Sequence, residues 1–394
     1  MLKENRNLLI IALIALVNML GYGIVIPILY AYSKHFGLSD FQNGLLFASF
    51  SICQFIATPI IGRMSDKYGR RPLLLISITG TAVSFLLMAF AQNSLWLFAA
   101  RMLDGITAGN IPVAFAVISD STEVKDRPRA FGIVGAAFSF GFVFGPAISA
   151  LTLGLGSSVP FLFAAAVTII AIVLTALYLP ETNKHRGEVS RKNLFDFSHL
   201  WHALFDPNIG STFVISLIYF LAFSCAIIYG FQPFTMHVLH VSAQQNAILF
   251  TLFGVVGLIS QTFLVQRFAK MFGQKKAFAI SFLLTAIVFF VMYLAKTLYF
   301  FVGVSLILGF VNSVAQTLIP SILSQEADAK SQGSIMGLNS SYQSIGMIIG
   351  PILGGFVATI AVPLPFLIGS ILAMICFFLA VRIITHKEAK ETAF

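Results

Sequence analysis

Long uncharged apolar stretches alternate with short polar loops along almost the whole chain of 394 residues. Each stretch is close to the roughly 20 residues that an α-helix needs to cross ~30 Å of hydrocarbon. Inside a bilayer a segment must satisfy its own backbone hydrogen bonds, so we predict helices and an all-α integral membrane protein. The predicted spans are residues 8–31, 42–62, 73–91, 95–119, 130–153, 159–179, 209–232, 243–265, 277–295, 298–320, 333–356 and 363–384.

The twelve spans fall into two similar halves. A glycine and proline pattern of the fifth span recurs in the eleventh, with the same number of residues between each pair of equivalent positions. The pattern is Gly132, Gly141, Gly145 and Pro146 in the fifth span and Gly337, Gly346, Gly350 and Pro351 in the eleventh. We therefore predict two pseudo-symmetric six-helix bundles, residues 1–180 and 208–394, an arrangement typical of alternating-access transporters. Residues 181–207 form the predicted cytoplasmic linker, in which 193–205 is either a short helix at the lipid surface or a solvated segment.

Composition and charge agree with a membrane protein. With 58% hydrophobic and 10% charged residues, the chain has too little polar surface for a soluble globule of this size. If the N-terminus is cytoplasmic, 21 of the 24 Lys and Arg lie on the cytoplasmic side, which predicts a multi-pass protein with both termini inside. We expect the net charge of +9 to face anionic lipid, not nucleic acid. Cys53, Cys225 and Cys376 lie within spans without ligand spacing, so we expect no metal and no cofactor.

The loop between spans 2 and 3 places one carboxylate among several cations. Gly62, Asp66, Gly69, Arg70 and Arg71 lie in the sequence GRMSDKYGRRP, which resembles the G-x-x-x-D-x-x-G-R-[RK] signature of the major facilitator superfamily. The resemblance implies a conformational latch here, with its other side near Lys330 and Ser331. The corresponding loop of the second half has Lys270 where Asp66 stands, so the two loops cannot have symmetric roles.

Span 5 resembles the G-x8-G-x3-G-P motif of the antiporter branch of that superfamily. Gly141, Gly145 and Pro146 match it, and Gly350 and Pro351 repeat it in span 11. Small residues allow close helix packing, and proline bends or weakens a helix. Ser149 stands where the family pattern usually has another glycine. Along nearly its whole length the chain is similar to twelve-helix drug:proton antiporters of the tetracycline-efflux type.

Span 4 contains two ionisable residues, Arg101 and Asp104, in the sequence RMLDGITAGN. Spaced at i and i+3 they share a helix face, and Asp104 lies about 14 Å into the span at about 1.5 Å per residue. A buried carboxylate beside a movable cation suits a proton carrier, and a static structural ion pair is the alternative. Arg101 and Gly105 also match the R-x-x-x-G motif of the family.

Span 1 departs from the resemblance, because tetracycline-type exporters generally carry an acid where this chain has Asn18. Asparagine cannot carry a proton, so Asp104 becomes the predicted coupling residue. Other intramembrane polar and aromatic side chains are candidates for a central substrate cavity or for hydrogen bonds between helices. The predicted cavity residues are Asn18, Tyr22, Gln54, Tyr219, Gln232, Asn312, Gln316, Asn339, Tyr342 and Gln343.

The sequence thus predicts a monomeric, proton-coupled exporter of small amphipathic or lipophilic compounds in a bacterial plasma membrane. A transporter of the same fold for one metabolite, such as a siderophore, an amino acid or a sugar, in either direction, is the alternative. A membrane-embedded enzyme has no support, since the chain lacks G-x-x-x-x-G-K-[ST], H-E-x-x-H and G-x-S-x-G motifs. Nothing resembles an appended signalling domain of a receptor.

Overall fold

The computed structural model of the protein describes residues 2–123, 125–183, 197–206, 209–326 and 332–391. Within these ranges the regular structure is entirely helical, and twelve helices are long and apolar enough to cross a membrane. The number of spans predicted from the apolar pattern is confirmed. Most helices extend past the apolar stretch by a few residues, because a helix continues into the polar interface.

The first half contains helices 1 to 6. Their bounds are Leu2–Lys34 for helix 1, Asp40–Tyr68 for helix 2, Arg70–Ala89 for helix 3, Arg127–Leu153 for helix 5 and Val159–Tyr178 for helix 6. Helix 4 is composite, with Ser94–Thr107 and Ile111–Ser121 joined by the 3-10 turn Ala108–Asn110.

The second half contains helices 7 to 12, two of which include a π-helical turn. Helix 7 consists of Gly210–Phe223, the π turn Ser224–Tyr229 and Phe231–His237, and helix 8 of Ala243–Ile259, the π turn Ser260–Leu264 and Val265–Phe272. Helices 9 to 12 are Gln274–Tyr293, Leu298–Glu326, Gln332–Ala358 and Leu364–Glu391.

A short helix, Phe197–Leu204, occupies part of the predicted linker. Leu200, Ala203 and Leu204 pack on the apolar core of the second half, whereas Trp201 is 62% exposed. The short helix proposed within 193–205 is therefore present, and its position at the lipid surface stays a prediction. Residues 184–196 of the linker lie outside the described residues.

The two halves begin their second helices with the same local device. Ahead of helix 2, the Ser39 N–H donates to Gln42 Oε1 at 2.8 Å and the Gln42 N–H to Ser39 Oγ at 3.2 Å. Ser242 and Gln245 exchange the same two bonds ahead of helix 8, at 3.0 and 3.2 Å. Each capping box satisfies two backbone donors that have no partner within the helix.

Helix packing within each half follows one scheme. Helix 1 packs on helix 5 and helix 3 on helix 6, and the equivalent pairs 7 with 11 and 9 with 12 pack likewise. Each half has its own apolar core, centred on residues such as Ile14, Leu74 and Val117 in the first and Phe213, Phe282 and Ile319 in the second. The duplication read from the glycine pattern thus extends to helix contacts.

Grouping residues by Cα proximity gives two units. Of the described residues, those within 1–38, 49–195 and 242–251 belong to the first unit, and those within 39–48, 196–241 and 252–394 belong to the second. Both units mix segments from the two sequence halves. The division at 180 and 208 predicted from the sequence stays a prediction.

Candidate functional site

Helix 4 changes its winding just before Pro112. Proline lacks an N–H and its ring crowds the carbonyl four residues earlier, so the regular helical bond to the Ala108 carbonyl cannot form. The backbone passes through the 3-10 turn Ala108–Asn110 at this point, and Gln54 Nε2 donates to the Ala108 oxygen at 3.4 Å. Gln54, a predicted cavity residue, therefore donates to the backbone oxygen for which Pro112 has no N–H.

Arg101 and Asp104 form a buried ion pair on helix 4. Arg101 Nη1 donates to Asp104 Oδ2 at 3.0 Å, and the two side chains are 1% and 9% exposed. Asp104 lies about 15 Å along the helix from Ser94, at about 1.5 Å per residue. A charge at this depth is stable only when it is paired or hydrated. The predicted pairing is present.

An aromatic residue of helix 2 completes the surroundings of the Arg101 side chain. The guanidinium carbon lies 4.3 Å from the centre of the Phe50 ring, and that ring lies 6.0 Å from the ring of Tyr22. A desolvated guanidinium gains about 2 kcal/mol over such a ring face. Arg101 thus has two sources of stabilisation, the carboxylate and the ring, and only the carboxylate contribution is lost when Asp104 binds a proton.

Asn110 is a site residue to which sequence reasoning gave no role. It is fully buried, and its Oδ1 accepts a hydrogen bond from Asn18 Nδ2 at 2.9 Å. Among the described residues its own Nδ2 has no partner. The signal in the sequence was its position two residues before Pro112, in the 3-10 turn of helix 4, from which its side chain contacts Asn18 of helix 1.

The second unit contains a cluster of uncharged polar side chains from helices 7, 10 and 11. The Tyr219 hydroxyl donates to Asn312 Oδ1 at 2.7 Å, and Gln316 Nε2 donates to the same oxygen at 3.1 Å. Ser216, one turn before Tyr219, donates to Asn339 Oδ1 at 2.7 Å. Four of the predicted cavity residues are therefore brought together within one unit.

Three further predicted cavity residues lie elsewhere in that unit. The Tyr342 hydroxyl donates to the Leu200 carbonyl of the short linker helix at 2.5 Å. Gln232 is completely buried and Gln343 is half-buried. Tyr342 thus attaches helix 11 to the linker helix, a contact that the sequence did not predict.

The loop between helices 2 and 3 is organised around Arg70. Its Nη1 donates to Ser65 Oγ at 2.7 Å and to Asp66 Oδ1 at 2.5 Å, and its Nε to Asp120 Oδ2 at 3.3 Å. Gly69 allows this turn because it adopts φ +109°, a region that side chains avoid. In the connection between helices 4 and 5, Lys125 Nζ lies 2.8 Å from Glu123 Oε2, and this hydrogen bond lowers the pKa of the Glu123 carboxyl.

The second arginine of this loop binds a backbone carbonyl of helix 6. Arg71 Nη2 donates to the Ala176 carbonyl at 2.5 Å. Gly62 is half-buried, and a Cβ added to it would have nothing within 4 Å. The expected partner region near Lys330 and Ser331 lies outside the described residues.

Glycines of helices 5 and 11 lie against the backbones of helices 1 and 7. A Cβ at Gly145 would lie 2.7 Å from Gly23, and one at Gly350 would lie 2.8 Å from the Leu221 carbonyl. Gly141 and Gly346 are equally restricted, and Pro146 and Pro351 follow within continuous helices. Gly132 and Gly337 have nothing within 4 Å of that position, so close packing explains only part of the motif.

Comparison with known proteins gives one consistent family. The sequence profile of the Major Facilitator Superfamily matches residues 11–231 and 212–394. Multidrug resistance protein 1 of Bacillus subtilis (strain 168) is 33% identical over 381 residues, 94% of each chain. The class H tetracycline resistance protein of Pasteurella multocida is 28% identical and covers 93% of this chain and 94% of its own.

The fold is shared with solved transporters. The crystal structure of the nucleoside transporter NupG superimposes with a TM-score of 0.80 at 14% identity, over 96% of this chain and 99% of NupG. The matched family is one of multi-pass membrane transporters of small molecules and not a family of enzymes. With its two matched halves and twelve spans, the chain belongs to the Major Facilitator Superfamily.

Proposed function

We propose that this protein exports small amphipathic or lipophilic compounds in exchange for protons, by alternating access. The observation that carries the proposal is the buried Arg101–Asp104 pair within helix 4. The names of the relatives, multidrug and tetracycline resistance proteins, support efflux as the direction. The proposed location is a bacterial plasma membrane, with a monomer whose termini are cytoplasmic, as the distribution of Lys and Arg favours.

Proton binding at Asp104 changes the electrostatics of helix 4. The ionised carboxylate balances Arg101 across 3.0 Å. Once a proton neutralises Asp104, Arg101 keeps the Phe50 ring but loses its counter-charge, and a buried cation without a counter-charge is unfavourable. The protonated protein therefore favours the conformation in which Arg101 is hydrated. Substrate and proton become coupled through that equilibrium, and the coupling is reciprocal.

Substrate contacts in this proposal come from neutral groups. The predicted substrate residues carry amide or hydroxyl groups; they are Asn18, Tyr22, Gln54, Tyr219, Gln232, Asn312, Gln316, Asn339, Tyr342 and Gln343. Amide and hydroxyl groups orient a ligand without demanding one charge type. Such a lining suits lipophilic compounds of varied shape more than phosphorylated ones, which require cations.

The test is transport by purified protein in proteoliposomes under an imposed pH gradient, with tetracycline and a lipophilic cationic dye as probes. We expect wild type to concentrate at least one probe, and Asp104→Asn to lose accumulation while still exchanging probe across the membrane. Asp104→Glu, which keeps a carboxylate, should retain part of the accumulation. Full gradient-driven accumulation by Asp104→Asn would make the pair purely structural and refute proton coupling at this site.

A second candidate function is transport of one dedicated metabolite, inward or outward. It is favoured by the Tyr219–Asn312–Gln316 cluster, because a site built from hydrogen-bonding groups rejects analogues that lack the matching group. Competition assays separate the two functions. Inhibition by many unrelated lipophilic compounds supports the exporter, and one tight competitor supports the dedicated transporter.

A further inference from the structure

A cavity of about 170 Å³ lies at one end of the second unit, where helices 9, 10 and 12 meet. Its inner wall is apolar, with Phe278, Ile322 and Ala380 all buried, and its rim has the exposed polar residues Lys275 and Gln325. Ile383 and Ile384 are half-buried and complete the lining. At ~30 Å³ per water-sized group this space holds about five such groups, fewer than a drug-sized ligand needs.

The rim lies at an end of the bundle that is rich in cations. Lys275 is in the first turn of helix 9 and Gln325 in the last turn of helix 10. Arg267 and Lys270 at the end of helix 8 and Lys276 in the first turn of helix 9 are also exposed. Clusters of this kind at one membrane face attract anionic lipid headgroups.

The starts of helices 3 and 9 are equivalent positions of the internal repeat, and their surroundings can be compared. Helix 3 and helix 9 both begin after a glycine with positive φ, +109° at Gly69 and +77° at Gly273. At helix 3 the Glu181 carboxylate accepts from the N–H groups of Arg70 and Arg71 at 2.9 and 3.2 Å.

At helix 9 the equivalent N–H groups are those of Gln274 and Lys275. Among the described side chains, none accepts a hydrogen bond from either of these two N–H groups. The unpaired N–H groups at a helix start favour an anion. In the first half the Glu181 carboxylate lies at the start of helix 3, and in the second half the cavity, with Lys275 on its rim, lies at the start of helix 9.

We propose that this cavity binds an anionic phospholipid. The phosphate lies at the Lys275 ammonium and the start of helix 9, where Glu181 stands in the first half. Part of an acyl chain fills the space between Phe278, Ile322 and Ala380. A lipid fits better than free phosphate, because phosphate would leave this apolar wall without a partner. The site is separate from helix 4 and does not depend on proton coupling.

Native mass spectrometry of delipidated, detergent-purified full-length protein tests the proposal, with phosphatidylglycerol and phosphatidylcholine as probes. We expect preferential retention of phosphatidylglycerol. Lys275→Gln should weaken that retention about fivefold, the contribution of one cation near a lipid surface. Lys276→Gln is the matched control, since Lys276 is the next residue but does not line the cavity. Ile384→Trp fills the apolar part with the charges kept, and should also weaken retention.

Several results would overturn the proposal. Equal retention of the two lipids would remove the anionic preference, and equal losses in Lys275→Gln and Lys276→Gln would show diffuse surface charge. Complete displacement of lipid by inorganic phosphate would show an anion site in which the apolar wall has no role. Thermal unfolding of the two lysine variants confirms that both fold. Since no gradient is applied, failure of the transport proposal would leave this measurement unchanged.

Discussion

Asn110 is fully buried in the broken part of helix 4, and its Nδ2 donor has no partner among the described residues. A buried donor without an acceptor costs about 1–3 kcal/mol. Asn18 already uses the Asn110 oxygen as its acceptor, at 2.9 Å. The free donor is therefore available to an oxygen that is not part of the resting structure, such as a water or a substrate carbonyl.

Substituting Asn18→Asp tests how this pair relates to coupling. The new carboxylate can only accept while ionised, so Asn110 should turn its Nδ2 toward it and satisfy the unpartnered donor. We expect a folded protein whose transport rate depends more steeply on pH, because a second carboxylate titrates beside helix 4. Initial rates in proteoliposomes across a pH series measure this. Asn18→Leu is the control without a carboxylate, and a wild-type pH profile for Asn18→Asp would contradict the expectation.

Contacts between side chains could be predicted from the sequence where the two residues are close to each other along one helix. Arg101 and Asp104 are three positions apart, so helical geometry alone places them on one face. Asn110 pairs with a residue 92 positions away, and the order in which helices pack decides such a contact. The sequence showed the polar residues but not their partners.

At the scale of helices, glycine positions differ in what surrounds them. Gly145 packs on the backbone of helix 1, with 2.7 Å from an added Cβ to Gly23. Gly132, thirteen positions earlier on the same helix, has nothing within 4 Å. Ser149, where the family pattern has glycine, instead donates its hydroxyl to the Ile24 carbonyl at 2.7 Å. This bond joins helices 5 and 1 where a glycine would only allow approach.

These surroundings predict opposite results for two glycine-to-alanine changes. Gly145→Ala overpacks the contact of helices 1 and 5 and should destabilise by about 1–3 kcal/mol, with a clear loss of transport. Gly132→Ala meets no atom, so higher helix propensity should stabilise by up to about 1 kcal/mol with transport kept. Thermal unfolding and initial transport rates of both purified variants check this. Similar losses in the two variants would show that the whole motif acts as one unit.

The Arg70 cluster predicts the effect of neutralising Asp66. Asp66→Asn replaces a charged hydrogen bond, typically worth about 1.5–3 kcal/mol, with a weaker one. Arg70 keeps Ser65 and Asp120, so insertion and folding should be normal while transport falls roughly tenfold, the effect of ~1.4 kcal/mol. Asp126→Asn is the control, since this exposed acid of the same membrane face makes no ion pair among the described residues. Unchanged transport in properly inserted Asp66→Asn would exclude a latch at Asp66.

Helix positions were predictable because twenty apolar residues in a row permit little else. The 3-10 and π-helical turns within these helices were harder to predict. Pro112 marks the 3-10 turn in helix 4, but Ser224–Tyr229 of helix 7 is π-helical without any proline or glycine. A Cβ added to Gly350 of helix 11 would collide with the Ser224 side chain of this turn. The turn packs on helix 11, and a contact between distant segments cannot be read from one of them alone.

At the scale of the whole molecule, each of the two units contains contacts between residues of the first sequence half and residues of the second. In the second unit the Tyr229 hydroxyl donates to the Asp40 carbonyl at 2.8 Å, and a Cβ on Gly44 would meet the Pro351 carbonyl. In the first unit Asn246 Nδ2 donates to the Pro27 carbonyl at 2.9 Å. Helix ends from one half thus pack with helices of the other independently of the linker.

Cutting the chain between Glu188 and Arg191, a stretch outside the described residues, should therefore leave a functional pair of fragments. Each fragment keeps six spans and its own apolar core, and the covalent link is replaced by contacts already present, such as those of Asp40 and Asn246. We expect the co-expressed fragments to co-purify through a tag on one of them and to retain transport. Gly44→Leu, which collides with the Pro351 backbone, should reduce co-purification more in the cut protein than it lowers the yield of the intact chain. Fragments that separate in mild detergent without this change would show that the linker, and not helix packing, holds the halves together.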